Sequence, residues 1–242
     1  MGSLAACGGT AVEHSVTAPL TESRTTLSFA GRAPGASFAA PAHDIEQTVR
    51  VGNHVLVIKS AKVVMHEAIL SGGTAQCEYV SCGALLDLPV VIDLPLGDGA
   101  MQHARLELPA GVYGGVALSL YRLPAGGGSA SDAQIRAEHP EMAGRAVLVT
   151  GTFDGVAFEF TSEDALAKTI ALSRPVMVVG GASTNITVRL AIADWFRNAD
   201  GSLIDPRTAQ SGGVNASAVA GNMARGVMAF EDRNHDGDDR NG

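Results

Sequence analysis

The 242-residue chain reads as a mostly-β protein, an antiparallel β-sandwich with a short helix and an acidic loop near its C-terminal end. Three observations predict this class. Short runs rich in β-branched residues, partly alternating apolar with polar, recur between Gln47 and Ile192. Gly, Pro and Asp-Gly signals separate them, as turns require. A hydrophobic content of 46% against 17% charged residues supplies enough apolar surface for a full core.

The strands are expected in order at 48–51, 55–58 and 61–66, then at 89–94 and 104–108. In the last of these, Arg105 and Glu107 alternate cleanly with apolar neighbours. Pro109 and Gly111 predict a turn into a strand at 116–121, and a Gly-rich, polar excursion runs from about 125 to 140. Asp154-Gly155 between two apolar runs predicts a two-residue hairpin, because this pair tolerates the left-handed backbone such a turn needs. Phe158 and Phe160 should then face the core. Two further strands are expected at 175–179 and 185–192, the second ending in Asp194-Trp195-Phe196.

Three segments follow from composition. Residues 1–45 are rich in Ala, Gly, Ser, Thr and Pro and read as a tether, with 25–29 able to form a short strand at the domain edge. Residues 46–197 form the sandwich, and 198–242 an appendage packed on it. The formal charge of −8 and only three lysines (Lys59, Lys62, Lys168) exclude a phosphate-tracking surface, so no nucleic-acid partner is expected. No apolar run reaches the roughly 18 residues of a membrane-spanning helix, so membrane attachment would be covalent or peripheral.

Leu4-Ala5-Ala6-Cys7-Gly8 resembles the lipobox of bacterial lipoproteins, which implies lipidation of Cys7 and a membrane partner through that lipid. Two or more acyl chains would hold firmly, at about 0.8 kcal/mol per buried methylene. Cys77 and Cys82 flank four residues, a spacing that can close a small disulfide in an oxidising compartment. The alternative, half of a zinc site, lacks a second cysteine pair or a nearby histidine pair.

The turn at 108–113, the hairpin at 151–155, the strand end at Asp194-Trp195-Phe196 and the terminal Phe230-Glu231-Asp232 together resemble uncharacterised bacterial exported lipoproteins with transthyretin-like or immunoglobulin-like sandwiches. The resemblance spans roughly 48 to 240 and rests on structural turns. It implies the sandwich and export to the envelope, whether outer-membrane-anchored, periplasmic or at the cell surface.

The residues most suggestive of chemistry are Asp232, Asn234, Asp236 and Asp238. They place oxygen ligands at alternate positions, with Gly237 where a calcium loop turns sharply. Ca2+ is therefore the expected cofactor, although the closing twelfth position falls one residue beyond Gly242. The contrasting expectation is a frayed acidic terminus. Asn215 is a candidate cap for a helix whose Val219, Met223 and Val227 share one face and deliver Phe230 to the core. Asn198 to Ser202, with Asp200, offers a poorer ligand pattern that reads as a turn.

No catalytic set emerges from spacing. His66-Glu67 begins like a zinc-protease motif, but Leu70 stands where its second histidine belongs. The seven histidines (His14, His43, His54, His66, His103, His139, His235) are scattered singly, and none pairs with a nucleophile-elbow serine. Gly126–Gly128 and Gly180-Gly181 lack the lysine or helix of a phosphate cradle. Asp87, Asp93 and Asp98 could supply paired carboxylates, but each sits beside Leu, Pro or Gly in an apolar, turn-rich stretch, and they read as structural. The expected function is a non-enzymatic, lipid-anchored envelope or surface protein for binding, adhesion or assembly. The alternatives are a hydrolase whose Asp and His converge only on folding, or an accessory subunit in which Trp195, Tyr79 or Tyr121 anchors an envelope protein.

Overall fold

A computed structural model describes residues 23–31, 46–72, 84–86, 89–97, 99–108, 110–163 and 166–239. Cys7, Cys77, Cys82, Tyr79, Asp87 and Asp98 lie outside the described residues, and so do the lipidation and disulfide expectations that depend on them.

The fold is mostly β, as the alternation predicts, with a short helix near the C-terminus. Its strands are β1 (Ser23–Ala30), β2 (Gln47–Val51), β3 (His54–Gly72), β4 (Ala84–Leu86), β5 (Val90–Asp93), β6 (Met101–Leu108), β7 (Gly111–Leu120), β8 (Val147–Phe153), β9 (Val156–Ser162), β10 (Ala167–Val178), β11 (Ser183–Leu190) and β12 (Val227–Glu231). Among the described residues three α-helices join them: α1 (Ala130–Glu138), α2 (Ile192–Trp195) and α3 (Ala216–Arg225). The hydrogen-bonded path runs β6-β1-β11-β12-β10-β7-β3-β8-β9, with β2, β4 and β5 on the other side of β3. β6 also lies against β4, so the sheet curls on itself.

β3 organises this path. The two runs expected at 55–58 and 61–66 are one continuous strand. In its first half Leu56 pairs with Val49 of β2 and with Phe153 of β8. In its second half Ala68 pairs with Leu86 of β4 and with Leu118 of β7. One strand thus serves two neighbourhoods. Near its middle it is covered on both faces: Val63 and Val147 enter the main core, while Val64 and Leu148 face a smaller cluster with Leu123, Ile135 and Met142 beneath α1. Burial on both faces explains why these stretches read as continuous apolar runs.

The structure corrects the segment boundaries at two places. Ser23–Ala30, assigned to a tether or a sheet edge, lies inside the sheet between β6 and β11. Leu27 and Phe29 are fully buried there, so apolar burial outweighs the linker-like composition around them. Val227–Glu231, assigned to an appendage, is an interior strand between β11 and β10. β1–β11 and β10–β12 pair in parallel, so the sheet is mixed where a wholly antiparallel one was expected.

Local chemistry accounts for the remaining differences. β6 and β7 follow one another in the chain yet do not pair with each other; β6 joins β1, and β7 joins β3 and β10. The polar excursion contains α1, which Ser129 caps: its hydroxyl accepts from the Asp132 backbone N–H, while Asp132 accepts in return from the Ser129 backbone. Asp194-Trp195-Phe196 ends a helical turn, not a strand. The β8–β9 hairpin forms as expected, with Asp154 and Gly155 at φ +50° and +79°. Phe158 and Phe160 are buried and meet Phe196 edge-on.

Candidate functional site

The four oxygen-bearing residues singled out in the sequence follow β12 and fold back over the outer face of β1, β11 and β12. On β11, Ile186, Val188 and Leu190 point into the core, which places Asn185, Thr187 and Arg189 on the opposite face. Such alternation normally marks a solvated face, yet Asn185, Thr187 and Arg189 are all buried. On β12 the same alternation places Phe230 on this outer face, outside the core cluster to which it was assigned. It is fully buried, with the Arg189 guanidinium 5.4 Å from its ring centroid.

A hydrogen-bond relay crosses this face. Ser28 Oγ donates to Asn185 Oδ1 at 2.8 Å, and Asn185 Nδ2 donates to Thr187 Oγ1 at 3.2 Å. Thr187 Oγ1 in turn donates to Asp232 Oδ2 at 2.8 Å. Asp232 is wholly buried, and its carboxylate also accepts from the backbone N–H groups of Asp236 (3.2 Å) and Gly237 (3.0 Å). Its own N–H donates to the Asn185 carbonyl, extending the β11–β12 ladder by one residue. A buried carboxylate demands such donors, and here the loop's amides supply two of them.

The loop is fastened at three further points. The N–H groups of Gly99 and Ala100 donate to the carbonyls of Asp236 and His235. Asp238 lies 3.6 Å from Arg189 Nη1, and Asp239 accepts from Ser173 Oγ at 3.0 Å. Gly237 has φ +73°, and a Cβ there would press on Ala30 and on the Gly99 carbonyl, so glycine is needed for both conformation and approach. The segment 232–239 is therefore a docked strap, in contrast to the frayed terminus its charge suggested.

The strap has the backbone of a metal loop, and its side chains hydrogen-bond within it. Asp232 accepts from the amides at the fifth and sixth loop positions, with the left-handed glycine at the sixth. Asn234 Nδ2 donates to Asp236 Oδ2, and Asp236 Oδ1 accepts from the Asp238 N–H. Among the described residues no group of three or more His, Cys, Asp or Glu side chains converges as a metal site.

The other candidates serve local structure. Asp200 accepts from the N–H and hydroxyl of Ser202, which makes the expected turn. Asn215 makes no side-chain cap; its amide donates to Thr208 Oγ1, and α3 ends before Val227, which belongs to β12. His66 and Glu67 sit exposed in β3, with the His66 ring tilted on Tyr121. Trp195 is buried and offers no exposed anchor, while Tyr121 is half-buried.

Spacing missed two charged arrangements. Lys62 donates to Glu141 at 2.7 Å, which holds Glu141 below the usual carboxylate range and raises Lys62. Burial pushes the Asp132 carboxyl up, but donors from Ser129, the nearby Tyr121 hydroxyl and Arg136 together hold it below its ordinary value. The partners are 79 residues apart in the first case, and no periodicity encodes such a pairing.

Comparison with protein-family models, with curated proteins and with solved structures returned no match to this chain.

Proposed function

We propose that this chain is a non-catalytic, exported envelope or surface protein, held at a membrane by a lipid on Cys7 and serving binding, adhesion or assembly. The observation that carries the reading is the engagement of Asp232. The most deeply buried carboxylate of the acidic loop binds Thr187 and two loop amides, so the residue best placed for chemistry fastens the fold instead. Lys62–Glu141 and Asp132–Ser129 are likewise engaged in holding elements together. A scaffold of this kind places function in its loops and edges.

The lipobox-like Leu4-Ala5-Ala6-Cys7-Gly8 supports the anchor, and Cys77 with Cys82 supports an oxidising compartment. Calcium belongs to the same proposal as a stabiliser of the strap, supported by the turn at Gly237 and the amide pattern on Asp232. The test is intact-mass measurement and membrane fractionation of protein from the producing cell. Acyl mass on Cys7, with release from the membrane in Cys7→Ala, is the expected result; an unmodified thiol in membrane-free protein overturns the anchor.

A further inference from the structure

Apolar side chains gather in the open at one rim of the sheet. Met177 is 66% exposed, Val179 51% and Val112 41%. Met177 and Val112 are direct partners across β10 and β7, and Val179 follows Met177 by two residues, so all three turn outward while Val176, Val178 and Tyr113 fill the core. Their exposed neighbours along the chain are Ala110, Gly114, Gly180 and Gly181, and no charged residue occurs from 109 to 121 or from 175 to 188. The N-terminal segment enters the sheet at this same rim. Ala182 donates its N–H to the Val179 carbonyl at 3.0 Å, closing the turn into β11, and its own carbonyl accepts from the Arg24 N–H at 3.1 Å as β1 begins. The chain that runs back to Cys7 is therefore rooted beside Val179.

We propose that Val112, Met177 and Val179 form a lipid-contacting rim, which rests on the bilayer surface and sets the orientation of the domain there. The inference deepens the anchor reading and rests on it for the direction in which the domain is held. An exposed apolar group of this kind marks an interaction surface, and burial of each side chain in the acyl boundary is favourable. Two features select lipid as the occupant. A tether rooted beside Val179 presents this rim to the membrane that holds it. A specific protein interface surrounds its apolar centre with polar groups that fix register, whereas glycine and alanine flank this one. A second, non-covalent contact also suits a lipidated chain, because membrane attachment is firm when two signals combine.

The experiment uses the full chain carrying Cys7→Ser, so that no acyl chain contributes, with its methionine methyl groups labelled for NMR. The probe is vesicles of phosphatidylethanolamine and phosphatidylglycerol doped with nitroxide-labelled phosphatidylcholine. The Met177 methyl signal should be lost, while those of Met101 and Met228, each 40% exposed elsewhere on the sheet, should persist. Co-sedimentation with undoped vesicles should weaken at least about tenfold when Met177→Ser and Val179→Ser are combined, a change of about 1.4 kcal/mol. Val112→Thr serves the same purpose if that pair fails to fold. No co-sedimentation at millimolar lipid, equal broadening of all three methyl signals, or unchanged binding in a folded variant overturns the proposal. A concentration-dependent dimer that Met177→Ser abolishes also overturns it, and assigns the rim to a second copy. Acyl mass on Cys7 is read from native protein and this contact from unacylated protein, so failure of the rim is distinct from failure of the anchor.

Discussion

Thr187 donates its hydroxyl to Asp232 Oδ2 across 2.8 Å, tying β11 to the segment that leaves β12, and both residues are wholly shielded from solvent. Removing that carboxylate strands three donors at once: the Thr187 hydroxyl and the amides of Asp236 and Gly237. Asp232→Ala should therefore destabilise the chain by roughly 3 kcal/mol, since each buried donor left unmade costs on the order of 1–3 kcal/mol with partial relaxation. Asp232→Asn should cost less because it keeps an acceptor. Urea denaturation checks both, and a loss under about 0.5 kcal/mol for Asp232→Ala, the range of inert surface changes, would contradict the relay.

Gly151 lies in β8 where β3 shifts register after Ile58, and a Cβ there would collide with the Val57 carbonyl. Backbone cannot swing aside as a side-chain tip can. Gly151→Ala should cost roughly 3 kcal/mol or more and lower the thermal midpoint by several degrees. An unchanged midpoint would contradict the close approach of these strands.

The Lys62–Glu141 pair makes a pH prediction with a defined sign. The hydrogen bond from Lys62 depresses Glu141, so its contribution is present above the unfolded carboxylate value near 4.3 and is lost as pH falls through the folded one. The same bond raises Lys62, so its contribution is present below about 10.4 and is lost as pH rises through the folded value. The coupling in a Lys62→Gln and Glu141→Gln double-mutant cycle should be flat between about pH 5 and 10 and vanish outside that window. Partial exposure makes it sensitive to salt. A coupling unchanged near pH 2 would show that packing, not charge, joins the two residues.

Calcium should raise the thermal midpoint relative to chelator. Extracellular modules bind at roughly 10⁻⁴ to 10⁻³ M, and metal at tenfold the dissociation constant stabilises by about 1.4 kcal/mol. Asp236→Ala should abolish the response, because Asp236 sits at the loop's fifth ligand position. An identical midpoint with metal and with chelator retires calcium from the account.

The sequence makes the β8–β9 hairpin legible because Asp-Gly dictates a backbone, and it makes the core faces of β9 and β11 legible because alternation dictates burial. It hides what depends on partners. β1 carries a good pattern inside linker-like surroundings, and nothing local says that it pairs in parallel with a strand some 160 residues away. Asn185, Thr187 and Arg189 alternate as solvated residues do, and only the strap above them makes that face interior. α1 is mostly polar, with Asp132 and Ile135 its buried residues, so its cap was the sole strong signal. At the acidic loop, residue types and the glycine were readable, but the engagement of Asp232 with β11 was not. A loop's own spacing cannot report what lies beneath it.

The central claim is that the acidic strap is fastened to the sheet as part of the fold. Native-state hydrogen exchange at the Asp236 and Gly237 amides tests it most directly. Docking on the Asp232 carboxylate predicts protection comparable to β12, falling to near that of an unfolded chain in Asp232→Ala. Exchange at unstructured rates in the unaltered protein would contradict it.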